Sequence, residues 1–183
     1  KKIANFFSKK NLVKAIKQKK AKLITSIAMF YDLPDPTKFA KEIYSLLDDN
    51  GVWHLEQSYS GHMLANLSYD TICHEHLEYY SLQSIKYIFD KANLKIIDIK
   101  FNKINGGSFA ISVAKKNSPL SSNKKKILQK IKQEKIKKIN STQTYKNFYK
   151  IISNEKIKLK YLLEKLKKNK KIVMGYGAST KGN

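Results

Sequence analysis

At 183 residues and 21.1 kDa the chain can hold one ordinary domain, or one domain and part of a second, and its 42% hydrophobic content excludes a wholly disordered protein. No apolar run approaches the roughly 18 residues of a membrane span, because residues 23–33 are interrupted by Thr25, Ser26 and Asp32. The 37 basic and 14 acidic residues leave a net charge of +23, which suits an anionic partner, yet every basic residue is lysine, and the arginine fork that reads bases and grips phosphates is absent.

Residues 1–21 are lysine-rich with no apolar stretch behind the charges, unlike a secretory leader. Residues 23–30, carrying Ile24, Thr25, Ile27 and Phe30, predict a strand buried on both faces that ends at Tyr31-Asp32-Leu33-Pro34. Asp35 then offers an N-cap oxygen and Pro36 suits the first helical position. Phe39, Ile43, Leu46 and Leu47 recur at helical spacing until Gly51 marks a stop. Residues 52–57 predict a second strand, so the segment forms a βαβ unit with parallel strands and a right-handed crossover.

A polar stretch over 58–80 follows, after which Ser81 can cap a helix that buries Ile85, Ile88, Phe89 and Ala92. Residues 94–101 and 108–114 predict an antiparallel hairpin, turned by the paired glycines Gly106 and Gly107. Parallel strands that end in an antiparallel hairpin describe the second half of a doubly wound, Rossmann-like α/β sheet. Ligands of such sheets bind beyond the carboxyl ends of the strands, which places Tyr31-Asp32 and Gln57-Ser58-Tyr59 beside the expected cleft.

Ser118-Pro119 and Ser121-Ser122-Asn123 mark a boundary that divides the chain into domains 1–117 and 118–183. Beyond it Ile127, Leu128 and Ile131 begin one helix. Tyr145, Ile152, Leu159 and Leu166 follow at seven-residue steps, with Phe148, Tyr149, Leu162 and Leu163 filling the stripe. Glu155 and Lys156 interrupt that seam, so packing on a neighbouring domain is expected rather than a coiled coil. Residues 121–171 hold eighteen lysines against Glu134, Glu155 and Glu164. Such a segment is a solvated helical face, a surface that favours anionic ligands, or a nucleic-acid-binding module. Residues 171–174 predict a strand running into the glycine-rich turn 175–183, a pattern that opens an α/β unit with a phosphate site. The entry without leading strands and the stop inside this turn give the expectation of a fragment.

The densest chemistry lies in residues 69–80, which hold Tyr69, Asp70, Cys73, His74, Glu75, His76, Glu78, Tyr79 and Tyr80. A loop at strand ends is where a general base is placed, and histidine titrates nearest neutral pH. Two other readings compete. His74 and His76 could ligate a metal with His62, Glu78 or Cys73, although no second ligand pair of defined spacing follows. Cys73, the single cysteine and so without a disulfide partner in the chain, could act as a nucleophile beside histidines.

The runs ITSIAMFYDLPDP (24–36), VWHLEQSY (52–59), YDTICHEHLEYYS (69–81), NGGSFAISVA (105–114) and GYGASTKGN (175–183) together resemble the sugar C-methyltransferase family. The resemblance covers nearly the whole chain, and the HEH and GASxKGN segments are its most specific parts. It implies S-adenosylmethionine (SAM) as cofactor and methylation of carbon 3 of a nucleotide-linked 4-keto-deoxysugar for a surface polysaccharide, in the cytoplasm and with no nucleic-acid partner. It also implies three parts: an N-terminal zinc module, a class I methyltransferase domain, and a C-terminal α/β domain that helps bind the nucleotide sugar. Zinc would belong only to the first, outside this chain, and no metal is expected at the site.

By this resemblance His76 is the base and Glu75 positions the sugar or assists His76, with Cys73 and Tyr79 completing the catalytic group. Phe30, Tyr31 and Asp32 flank the methionine end of the cofactor. His74, Tyr69, Ser179, Lys181 and Asn183 face the substrate, the last three with the amides of residues 177–182 at its phosphates. Two positions depart from the family pattern: Cys73 stands where tyrosine is frequent, and Asp32 where some members carry histidine. Without that phenol, either Tyr69 or Tyr79 substitutes or the acceptor differs. An oxygen- or nitrogen-directed sugar methyltransferase on the same scaffold is therefore the alternative enzyme.

Overall fold

The computed structural model describes residues 4, 7–15, 19–175 and 177. They fall in two compact units, the first ending at Ser141 and the second beginning at Thr142. In the first, α1 (Lys9–Ala15) precedes β1 (Ala21–Ile27), a 3-10 turn (Phe30–Asp32), α2 (Pro36–Leu46) and β2 (Leu47–Ser58). Next come α3 (Ser60–Asn66), a second 3-10 turn (Tyr69–Thr71), α4 (Leu82–Lys91), β3 (Leu94–Asn102), β4 (Ser108–Lys115) and α5 (Lys124–Ile136). The second unit contains α6 (Thr142–Lys168).

The strands form one sheet in the order β1-β2-β4-β3, with β1 and β2 parallel and β4 antiparallel to both neighbours. This is the mixed α/β sheet with a closing hairpin that the sequence predicts. Its consequence is positional. The carboxyl ends of β1, β2 and β3 share one end of the sheet with the start of β4, so segments 28–32, 59–81 and 103–107 all emerge there.

Trp53 and Leu55 of β2 alternate inward beside Phe109, Ile111 and Val113 of β4, and all five are sealed from solvent. Phe30 packs edge-on to Trp53 at 5.6 Å between centroids and touches Phe39, Tyr80 and Phe89. The Trp53 indole N–H donates to Ser26 Oγ at 3.0 Å, which satisfies its one polar atom inside the core. Both helices over this face begin as expected. Asp35 accepts the Lys38 N–H at 2.8 Å with Pro36 at the first helical position, and Ser81 and Ser84 form a reciprocal capping box.

Four expectations need correction. Leu23 and Ile27 of β1 are 63% and 56% exposed, because among the described residues β1 pairs only with β2 and lacks a second covering layer. Gly51 does not stop a helix: α2 ends at Leu46, and Gly51 lies within β2 where the register with β1 shifts between Ala21 and Leu23. A Cβ there would stand 2.6 Å from the Ala21 carbonyl oxygen, so glycine admits the close approach of the two strands. The polar stretch 58–80 contains α3, a helix of seven residues, too short for periodicity to declare. Residues 171–174 form no strand; Ile172 is 90% exposed, and no neighbouring strand among the described residues offers a ladder.

Candidate active site

The site is built where the first strand ends. Phe30 is sealed in the core and holds the 3-10 turn down, leaving Tyr31 at its edge and Asp32 exposed. The Tyr31 carbonyl accepts two N–H groups, from Leu77 at 3.0 Å and Glu78 at 3.1 Å, and so seats the loop 72–81 on the end of β1. Within the loop the His76 N–H donates to the Cys73 carbonyl at 3.3 Å, a turn that brings the imidazole to 4.1 Å from the Tyr31 ring. The ring of Tyr79 lies edge-on to His76 at 6.4 Å.

One hydrogen bond decides which ring nitrogen of His76 is tied down. Its Nδ1 lies 2.9 Å from the Thr71 carbonyl oxygen, and a carbonyl can only accept. Nδ1 therefore bears a hydrogen, and whenever the ring is neutral its lone pair is on Nε2. Thr71 is itself buried and fixed, its hydroxyl donating to the Ser68 carbonyl at 2.8 Å.

The charges around this ring act on one another. Partial burial pushes the Asp32 carboxyl above its ordinary pKa, His76 pulls it back down, and Glu75 pushes it up. Burial likewise raises Tyr31, with Asp32 and Cys73 adding to the shift. Burial raises the Tyr79 phenol as well, against a hydrogen bond to the Cys73 backbone that lowers it. At neutral pH Tyr79 thus keeps a proton to donate.

Tyr31, Asp32, Cys73, Glu75, His76 and Tyr79 are accordingly gathered at one end of the sheet. His74 and Tyr69 are exposed on the neighbouring stretch. Ser179, Lys181 and Asn183 lie outside the described residues. His62 is elsewhere, on α3 and edge-on to Tyr59 and Phe101 at 5.1 and 5.6 Å. Among the described residues no three His, Cys, Asp or Glu side chains converge so as to hold a metal ion, so the ligand set built on His74, His76 and His62 is not assembled.

Known protein families match the chain in two adjoining stretches. Residues 3–99 match the methyltransferase domain family, and residues 103–183 match the C-methyltransferase C-terminal domain. The chain belongs to the methyltransferase domain family. It is 27% identical over 166 residues to the C-methyltransferase NovU of Streptomyces niveus, covering 89% of this chain and 39% of NovU. The chain therefore spans about two fifths of that relative's length. Among solved structures, LepI in complex with SAM is 14% identical with a TM-score of 0.44, over 52% of this chain and 26% of LepI. A Bacillus halodurans protein assigned to the methyltransferases is 11% identical with a TM-score of 0.43, over 54% of this chain and 65% of its own.

Sequence reasoning missed the group that anchors the His76 ring, the Thr71 carbonyl. Thr71 acts through its backbone carbonyl, which no side-chain motif reveals. It also missed Glu134, a carboxylate only 2% exposed that accepts the Leu82 N–H at 2.6 Å, the Gln83 N–H at 2.9 Å and the Tyr59 hydroxyl at 2.9 Å. The available signal was a lone acid amid lysines on α5. At the carboxyl end of β2, Gln57 buries both amide atoms without a partner among the described residues, as Ser60 Oγ and Tyr80 Oη do nearby in sequence or across the Ser60 N–H to Tyr80 carbonyl bond.

Proposed function

We propose that the protein carrying this chain transfers a methyl group from SAM to a carbon beside the ketone of a nucleotide-linked keto-deoxysugar, with His76 as the base. The bond from His76 Nδ1 to the Thr71 carbonyl carries this reading, since it leaves Nε2 as the nitrogen that accepts a proton when the ring is neutral. The adjoining matches to a methyltransferase domain and a C-methyltransferase C-terminal domain support it. A cytoplasmic role in polysaccharide assembly follows from the same reading of the substrate.

The residues at the end of β1 fit the cationic methionine end of the cofactor: an exposed Asp32 carboxylate offers a counter-charge and Tyr31 an aromatic flank. When bound, SAM supplies an electrophilic methyl and leaves as the neutral thioether. A proton beside a ketone is too weakly acidic to leave unaided. His76 Nε2 takes it, the electron pair of the broken C–H bond moves into an enolate, and the Tyr79 phenol donates to the developing oxygen charge. The new C–C bond then forms at the carbon that lost its proton, and the imidazolium, steadied by Asp32 and Glu75, returns its proton to solvent. Glu75 and the exposed His74 and Tyr69 hold the sugar, while Ser179, Lys181 and Asn183 bind its phosphates. Cys73 supports the turn that presents His76.

Methyl-labelled SAM and a nucleotide-linked 4-keto-6-deoxyhexose, incubated with the intact protein, test the assignment. A product whose labelled methyl couples by NMR to a ring carbon next to the former ketone is expected. A methyl placed on oxygen or nitrogen contradicts the carbon assignment, and no transfer to any keto-sugar contradicts the substrate class.

A further inference from the structure

Buried carboxylates are costly unless their oxygens are satisfied, and Glu134 is the most deeply buried acid described in the chain. It is also out of character with its surroundings, standing on a helix where lysines dominate. Three donors from two distant parts of the chain converge on it. Leu82 and Gln83 contribute the first two main-chain N–H groups of α4 at 2.6 and 2.9 Å, and Tyr59, just past the end of β2, contributes its hydroxyl at 2.9 Å. The third amide, of Ser84, goes to Ser81 Oγ at 3.1 Å. A helix of ten residues thus has its leading donors satisfied, two of them by a charge that its own dipole favours.

What α4 follows gives this clamp its meaning. The loop bearing His76 runs directly into Ser81, and it is also held by the Tyr31 carbonyl at residues 77 and 78, the Ser60 N–H to Tyr80 carbonyl bond at 2.9 Å and the His76 bond to the Thr71 carbonyl. Glu134 fixes the end where the loop becomes helix. It comes from residues 103–183, the stretch matching the C-methyltransferase C-terminal domain, whereas the loop lies in the methyltransferase-domain stretch. We propose that Glu134 is a positioning residue through which the C-terminal segment sets the pose of the His76 loop. The inference rests on the assignment of His76 as base. A displacement of about 1 Å at a reacting group costs up to about 100-fold in rate, and the pin holds Leu82 and Gln83, the residues directly after the loop.

The test uses the intact protein with Glu134→Gln, which keeps volume but turns one acceptor oxygen into a donor facing amide N–H groups. Glu134→Ala is the harsher companion, and Ile43→Val, a core change on α2 outside the loop, is the control for lost stability. Two readouts are taken: steady-state kinetics, and the 15N-resolved resonance of the His76 Nδ1–H. The expected result for Glu134→Gln is a 10- to 100-fold fall in kcat with KM for SAM changed less than about twofold, together with a shifted or broadened His76 signal. Ile43→Val should leave kcat and the signal unchanged at comparable melting temperature. A wild-type His76 signal and wild-type kcat in Glu134→Gln would overturn the proposal, as would equal kinetic losses in the control. Because the imidazole signal does not depend on turnover, a failure of His76 as base would still leave the positioning of the loop separately readable.

Discussion

At the scale of single residues the account turns on which nitrogen of His76 is free. His76→Asn retains an N–H able to reach the Thr71 carbonyl but no basic nitrogen, so turnover should fall by about 10²- to 10⁴-fold while SAM affinity measured by calorimetry stays near wild type. Equal losses in both would remove the base assignment. Asp32 gives a second expectation. Its folded pKa is raised, so the folded state holds the proton more tightly than the unfolded chain. That contribution is present below the ordinary carboxyl pKa and is lost as pH rises through the raised one, which makes ionised Asp32 a liability at neutral pH. Asp32→Asn should therefore raise the melting temperature at pH 7 while weakening SAM binding. Unchanged SAM affinity would exclude Asp32 from the cofactor site. His76 and Glu75 were legible in the sequence as a dense polar loop at a strand end. Thr71 was not, because a backbone carbonyl has no residue signature.

Elements were read best where chemistry is local. Asp35-Pro36 and Ser81 declared helix starts through caps, and Gly106-Gly107 declared the hairpin through the positive φ angles, 77° and 122°, that they adopt. Gly51 was misread because a glycine stop and a glycine at a strand irregularity look alike until the partner strand is known. Gly51→Ala would drive its Cβ toward the Ala21 oxygen, and a loss of about 1–3 kcal/mol is expected in denaturant unfolding. A neutral result would mean that β1 and β2 can part there. Tyr80 makes a complementary case. Its hydroxyl is buried with no partner among the described residues, and burial, then Glu78, raises its pKa well above the ordinary phenol value. The folded state thus keeps a proton that the unfolded chain releases, and stability present below about pH 10 is lost as pH rises beyond it. Tyr80→Phe should be neutral or stabilising at pH 7 and should flatten the fall of melting temperature between pH 9 and 11.

For the whole molecule the net charge of +23 predicts self-repulsion that salt relieves, so the melting temperature should rise between low and moderate ionic strength. A fall would mean that attractive ion pairs dominate; those present, such as Lys22 with Asp48 at 2.7 Å and Lys126 with Asp98 at 2.9 Å, are largely at the surface. The α/β class, the parallel pair and the closing hairpin followed from order and spacing alone. The exposure of β1 and the absence of a strand at 171–174 did not, since burial and pairing depend on neighbours that the sequence does not name. Within the second unit, Tyr149, Ile157, Leu159 and Tyr161 of α6 are mostly exposed, so its apolar periodicity marks a helix without marking what it covers.

Carbon acid chemistry at His76 is the central claim, and hydrogen exchange reads it without waiting for methyl transfer. The intact protein is incubated in heavy water with a nucleotide-linked 4-keto-6-deoxyhexose, and deuterium at carbon 3 is followed by NMR for wild type and His76→Ala. Exchange in the wild type that is lost in His76→Ala is the predicted result. Absence of exchange while methyl still transfers to the sugar, or exchange that persists undiminished in His76→Ala, would contradict it.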